Sequence, residues 1–240
     1  MLSRRLMGAA VGQLKYSYRT ARLATGNGVT ITFSGVDVGS AGKKRSLVVF
    51  VSRTIDGSAL SLVTDITVGG KSADTLISGT APVVSAGRRC RQAVGIFENV
   101  GFGSTEDISV TIADAYAGSV CRIYVFEILN GIFLSSGTGQ VGGATTNPKI
   151  TITPSTSSQC VVLAHGWVTS EVATYGWFGS MTDVVSSNVD INNADGSRDL
   201  ITSASAEPSP NTPTHTVEWG VTGDTLNGRA ALISVVFKRG

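Results

Sequence analysis

The 240-residue sequence is poor in the residues that most enzymes use for catalysis and metal binding. It has only two histidines, His165 and His215, and three widely spaced cysteines. Two histidines leave little material for acid–base or metal chemistry. An odd number of distant cysteines argues against a disulfide framework or a zinc site and favours folding in a reducing compartment. No GxSxG or HExxH motif occurs, so we expect no enzymatic activity and no cofactor.

Charge and long apolar runs are also scarce. Charged residues make up 15% of the chain, and the formal net charge is +2. No apolar segment reaches the roughly 18 to 20 residues that a membrane-spanning helix needs. No recognised nucleic-acid-binding module is present. We therefore expect a soluble protein that neither inserts into membranes nor binds nucleic acid directly.

Ser, Thr and Val are abundant instead. Ser and Thr together supply 54 residues and Val another 28, a composition typical of pleated β-structure. From residue 29 onward, short runs rich in Val, Ile and Thr alternate with turn segments rich in Gly, Ser and Asn. The pattern predicts an all-β protein, an antiparallel β-sandwich of jelly-roll type.

Segments of the first half of the chain resemble segments of the second half. VTITFSG and SLVVFVSR resemble ITITPS and QCVVLAHGW, and ISVTIADAYAGSVCRIYVFEI resembles HTVEWGVTGDTLNGRAALISVVF. The similarity predicts two related halves, at 29–135 and 149–240. Such halves can form two sandwiches or interleave in one. The short join between them favours a single domain over 29–240.

Residues 1–28 carry charge of one sign. The first 36 residues contain five cations, and no acid precedes Asp37. Leu2, Leu6 and Ala10 recur at four-residue spacing, as on one face of a short helix that orders on a partner. A frayed terminus is the alternative. We interpret 1–28 as a basic anchoring arm that could form a short helix. Its contacts with the partner are expected to come from Leu2, Arg4, Arg5, Leu6 and Met7, with electrostatic assistance from Lys15 and Arg19.

One aromatic cluster is a candidate ligand site. Tyr175, Trp177 and Phe178 form the densest aromatic patch of the sequence and are flanked by glycines. Aromatic faces can stack on sugar rings or anchor a protein interface. The alternative is that these side chains form the rim of the core.

Two polar segments resemble ligand-binding loops. Asp190, Asn192 and Asp195 could supply oxygen ligands to calcium, but their spacing does not match an EF-hand, so a polar turn is the main interpretation and no metal is expected. GTGQVG has the GxGxxG spacing of a dinucleotide-binding loop. A strand pattern follows it where that loop requires a helix, which argues against nucleotide binding.

Three segments carry a family resemblance: DITVGGKSADTLIS, GIFENV and the closing RAALISVVFKRG. With them, residues 29–240 resemble Ser/Thr/Gly-rich β-sandwich proteins encoded among the virion genes of tailed bacteriophages and prophages. The resemblance implies a structural role on the particle, as a head decoration protein or a tail fibre or spike component, without cofactors. It also implies contacts with other capsid or tail proteins and assembly as a homo-oligomer, with a trimer as the specific expectation.

We therefore expect a non-enzymatic virion component that is assembled in the host cytoplasm. It would attach through its N-terminal arm and project a β-sandwich from the particle. The alternative is a carbohydrate-binding module or adhesin, which would use the aromatic cluster to contact a host surface glycan.

Overall fold

The computed structural model describes residues 12–42, 45–56, 62–83, 88–113, 119–145, 149–157, 159–170, 174–178, 181–183, 189–192, 198–208, 213–222 and 228–240. This part of the chain is all-β, and its strands pair antiparallel, as predicted. None of these residues forms a helix long and apolar enough to span a membrane.

The first half forms a two-layer sandwich. Its strands are β1 (Lys15–Gly26), β2 (Thr30–Asp37), β3 (Arg45–Asp56), β4 (Val63–Val68), β5 (Lys71–Ser72), β6 (Thr75–Val83), β7 (Arg88–Val100), β8 (Thr105–Ile112) and β9 (Ser119–Leu129). The first inner sheet has the order β1-β9-β3-β7-β6, and the first outer sheet has the order β2-β8-β4-β5. Strands β1 to β4 alternate between the two sheets, as in a jelly roll.

The second half repeats this arrangement. Its strands are β10 (Gly131–Thr145), β11 (Lys149–Ile152), β12 (Cys160–Ser170), β13 (Thr174–Phe178), β14 (Thr182–Asp183), β15 (Val189–Asn192), β16 (Arg198–Ala206), β17 (Val217–Thr222) and β18 (Gly228–Arg239). The second inner sheet has the order β10-β18-β12-β16-β14, with β15 also paired to β16, and the second outer sheet has the order β11-β17-β13.

The four sheets stack as outer, inner, inner and outer layers with three apolar cores between them. The first core lies between the first outer and first inner sheets, and the third lies between the second inner and second outer sheets. The second core joins the two inner sheets, and we call this interface the seam. Both faces of the inner sheets are therefore buried, which explains why SLVVFVS and CVVLAHGWV are continuous apolar runs with almost no alternation.

Strand register shows that the halves are duplicates. Tyr18 of β1 pairs with Phe126 of β9, and Phe133 of β10 pairs with Phe237 of β18. In each pair the two rings meet edge-on, with centroids 5.6 and 6.0 Å apart, and the register shifts directly after the first residue. The same bulge and the same ring contact at the same place in both halves are evidence of a common ancestor.

Each half forms its own sandwich, so the structure does not interleave them in one. The first sandwich runs from Lys15 to Leu129, and the second from Gly131 to Arg239, with only Asn130 between β9 and β10. Asn130 adopts a positive φ of 56°, which suits a tight turn. Because the seam is apolar on both sides, the two sandwiches pack as one body.

Part of the segment that was predicted to be an arm belongs to the body. Residues 15–26, assigned to the arm from their charge, form β1 at the edge of the first inner sheet. Tyr16, Tyr18 and Ala21 explain this placement, because their side chains pack against the core of the seam. Residues 1–11 lie outside the described part of the chain, and so do most of the residues of the predicted helix.

The GTGQVG segment lies within β10 and has a packing role. A Cβ at Gly139 would lie 2.6 Å from Ile150, and one at Gly137 would lie 3.3 Å from Ile152. Both isoleucines belong to β11 of the second outer sheet. The glycines therefore let the two sheets approach closely.

The two cysteine thiols that the structure describes are buried in different cores. Cys121 lies in the first core and Cys160 in the third, and both are free. Burial raises the pKa of the Cys121 thiol to about 12. That thiol stays protonated and behaves as a small apolar side chain.

Gly166 of β12 provides a test of the third core. A Cβ at this position would lie 2.6 Å from the indole ring of Trp219. We expect Gly166→Ala to lower the free energy of unfolding by about 1–3 kcal/mol, because a well-packed core has no room for an added methyl group. The measurement is urea denaturation.

The matched control is Gly176→Ala in β13 of the same sandwich. Nothing lies within 4 Å of a Cβ at Gly176. The free energy of unfolding of the control should stay within about 0.5 kcal/mol of the wild-type value. Equal destabilisation by both variants would contradict the assigned packing.

Candidate functional site

The predicted anchoring residues divide between two parts of the chain. Leu2, Arg4, Arg5, Leu6 and Met7 lie outside the described residues. Lys15 and Arg19 lie in β1, the first strand of the body. The part of the predicted attachment site that the structure describes is therefore the surface around the start of β1.

A cavity of about 600 Å³ lies at this surface, at one end of the seam. Residues 13–17 form one wall, and the ends of β12 and β18 form another. Its polar and charged lining includes Lys15, Tyr16, Gln159, Glu207 and Arg239. Lys15 is exposed and makes no ion pair with any residue in the described ranges.

Hydrogen bonds hold the walls of this cavity in place. Arg239 donates from Nη1 to Oε1 of Gln159 at 3.0 Å, and its backbone N–H donates to the Gln159 carbonyl at 3.1 Å. On the opposite wall the Ser205 hydroxyl donates to the Tyr16 hydroxyl at 3.1 Å, which ties β1 to β16 across the seam. The cavity therefore has fixed walls and a polar lining in which two cations, Lys15 and Arg239, outnumber the one acid, Glu207. A ligand that bears carboxylates would suit the two cations.

The duplication supplies an equivalent cavity for comparison. It measures about 310 Å³ and is lined by Asn130, Ile128 and neighbouring residues. The strand registers place Asn130 at the position of Lys15 and Ile128 at the position of Arg239. Lys15 and Arg239 therefore have no cationic equivalents in the smaller cavity, whose lining includes a different cation, the buried Arg45. Because the two sandwiches have the same fold, the fold does not require cations at the positions of Lys15 and Arg239.

Arg19 belongs to an ion-pair cluster inside the body. Its guanidinium lies 3.0 Å from Oδ1 of Asp37 and 3.9 Å from Oε2 of Glu127. Glu127 is buried and also lies 3.3 Å from Nε of the buried Arg45. A buried carboxylate is stable only with such partners. Arg19 thus ties β1 to the end of β2, and the prediction that it assists attachment is untested.

Sequence reasoning missed Arg45 and Glu127. The signal available was a single acid in the otherwise largely apolar run IYVFEI. A carboxylate in a buried strand predicts a buried cation nearby. The partner itself was not predictable, because Arg45 lies on a different strand.

The aromatic cluster lies on β13 of the second outer sheet. Trp177 packs against the third core, and its ring centroid lies 4.8 Å from that of Trp219. Trp177 also pairs with the buried Trp219 of β17 in the strand register. A core role therefore accounts for Trp177. The side chains of Tyr175 and Phe178 are not among those described.

The interpretation of Asp190, Asn192 and Asp195 as a polar turn without bound metal stays a prediction. Asp190 and Asn192 lie in β15, paired with Leu200 and Arg198 of β16, and Asp195 lies outside the described residues. In the described ranges, no three His, Cys, Asp or Glu side chains come together to hold a metal ion.

His165 lies at the centre of the seam, fully buried. Its Nε2 is 2.7 Å from the Ser52 hydroxyl, and its Nδ1 is 2.9 Å from the Ser203 hydroxyl. The rings of Phe50 and Tyr124 pack around it. In this position the imidazole is closed to a substrate and serves as a polar contact between the sandwiches.

The strand registers show that this contact joins equivalent positions of the two sandwiches. Ser52 and His165 occupy equivalent positions of β3 and β12, so equivalent residues meet across the seam. Gln92 and Ser203, their respective neighbours in β7 and β16, are equivalent as well. Contact between equivalent residues is what a two-fold dimer axis produces. The two sandwiches therefore pack like the subunits of a homodimer joined into one chain.

Ser52→Ala tests the polar contact at the seam. The variant removes the buried contact of 2.7 Å between the Ser52 hydroxyl and Nε2 of His165, and loss of a buried hydrogen bond costs about 1–3 kcal/mol. We expect the free energy of unfolding, measured in urea, to fall by that amount. Ser109→Ala is the control, because it removes a hydroxyl contact of 2.9 Å to Thr32 at the surface. Water replaces that contact, so the control should lose less than about 0.5 kcal/mol.

No protein-family model matches this chain, and no curated protein matches its sequence. Its function must therefore be inferred from the geometry of the body and of the cationic cavity.

Proposed function

We propose that this protein is a non-enzymatic structural component of a tailed-phage virion, either a head decoration protein or a tail fibre or spike protein. It attaches through its N-terminal arm and projects the double sandwich from the particle. Assembly takes place in the host cytoplasm, and the protein acts as a homo-oligomer, with a trimer as the specific form.

The observation that carries the proposal is the position of the cationic cavity. Lys15 lies at this cavity and begins β1, and the basic residues Arg4 and Arg5 precede it in the sequence. The arm and the cavity thus lie close together in the chain and carry charge of the same sign. An acidic surface on a larger assembly would attract both.

The architecture of the body is consistent with this role. Viral capsid domains and lectins often use jelly-roll sandwiches. Because a fold does not by itself identify a function, the architecture supports the proposal only together with the cavity. Four stacked sheets with three apolar cores also make a stiff body, which suits a subunit that projects from a particle.

Glycan binding is a second candidate function, favoured by the occurrence of jelly rolls in lectins. It would use the surface around Tyr175 and Phe178 on β13. A glycan array with the intact protein tests it: specific binding would favour an adhesin, which a virion protein can also be. Trp177→Ala is unsuitable as a test variant, because Trp177 packs against the third core.

Deletion of residues 2–11 tests attachment. The deletion removes Arg4 and Arg5 but leaves β1 complete, so we expect a folded protein with nearly the wild-type melting temperature. It should no longer join particles. The measurement is co-sedimentation with purified particles that lack the protein, followed by mass spectrometry of the pellet.

A longer deletion, of residues 2–20, provides the contrast. It removes Tyr16 and Tyr18, which pack against the seam, so we expect a lower melting temperature as well as lost attachment. Attachment of the shorter deletion at the wild-type level would show that the arm is not the anchor.

A further inference from the structure

We propose that the outer edge of β1 is a second attachment surface, which binds an extended, acid-bearing strand of the particle protein. The bound strand would extend the first inner sheet by one strand beyond β1. This inference rests on the proposed attachment function and names the partner chemistry of that attachment.

Within the described residues, the outer edge of β1 is long and has no strand beside it. β1 has 12 residues and pairs with β9 on one side, and it is the terminal strand of its sheet within the described chain. Alternate backbone N–H and C=O groups on the other side therefore point away from the sheet. Such an edge is a template for pairing with another strand.

The side chains on this edge favour a partner strand that carries both acidic and apolar residues. Leu23 is 49% exposed, and its neighbour Arg22 is exposed without an ion pair to any residue the structure describes. Adjacent residues of a strand point to opposite faces. A strand added beside β1 would therefore meet an apolar contact on one face and an unpaired cation on the other, with Lys15 as a further cation at the start of β1.

The equivalent edge in the second sandwich is covered within the chain. β10 lies against β6, the Phe133 N–H donates to Oε1 of Glu98 at 3.2 Å, and the Ser135 hydroxyl donates to the carbonyl of Ser155 at 2.7 Å. The registers place Gly137 and Thr138 of β10 at the positions of Arg22 and Leu23. The open edge thus carries an exposed cation and an apolar side chain that the covered edge lacks.

A second copy of the chain does not suit this edge. β1 contains Lys15, Arg19 and Arg22 and no acid. Two β1 strands side by side would bring cations together, and like charges on neighbouring strands are destabilising. A strand that alternates acidic and apolar residues instead places carboxylates near Arg22 and an apolar side chain near Leu23.

The test compares Leu23→Glu with Thr138→Glu, which adds the same charge at the equivalent position of β10. Both positions are exposed, so both variants should fold, which circular dichroism and melting temperature will verify. We expect Leu23→Glu to weaken binding to purified particles that lack the protein by tenfold or more. Thr138→Glu should bind like the wild type.

Hydrogen exchange separates strand addition from a simple charge contact. Addition of a strand should protect amides of residues 15–26 in the bound protein, because their outward N–H groups gain partners. Absence of added protection would overturn the assignment, and so would equal binding by the two variants.

Two further outcomes are distinguishable. If the wild-type protein does not bind particles at all, the proposed function itself fails. If light scattering finds a wild-type dimer that Leu23→Glu converts to a monomer, the occupant of the edge is a second copy, and the acidic partner is wrong.

Discussion

The packing of the two inner sheets across the seam is the interaction on which the rest of the structure depends. Phe50 and Phe126 of the first sandwich and Leu163 and Phe237 of the second lie in this core. Each inner sheet thereby loses contact with water on both faces. Neither sandwich could expose its inner sheet without a large apolar patch, so the two form one body. The rigidity of the protein and the position of the cavity both follow from this contact.

Because the protein contains two copies of one sandwich, each copy can be compared with the other. Two sandwiches with the same strand order and register must meet the same packing requirements, so differences at the surface have another cause. The second sandwich has Asn130 at the position of Lys15 and Gly137 at the position of Arg22. The first sandwich has Ile128 at the position of Arg239. These differences lie at one end of the seam and on the β1 edge. That concentration, more than the fold, supports an attachment surface formed by β1 and the adjoining end of the seam.

The sequence could not place individual residues in the fold where charge and pattern pointed to different structures. Tyr16 and Tyr18 alternate as in a strand, but the cations around them suggested an arm. Trp177 was interpreted as a platform or as the rim of the core because its neighbours are aromatic, and its position against Trp219 is set by strand pairing. Arg19 was predicted to serve attachment because its partner, Asp37, lies 18 residues away and the sequence does not show that they meet.

The sequence by itself determined the all-β class, the antiparallel sandwich and the internal repeat, because strand patterning is local and each repeat copies the same pattern. It also determined that the first residues are basic. Only the tertiary structure decided that the halves form two sandwiches and that Ser52 meets His165. It alone brought Lys15 and Arg239 to one cavity and left the edge of β1 open. The reason is physical: these features depend on which faces and edges meet, and that is set by packing between residues far apart in the chain.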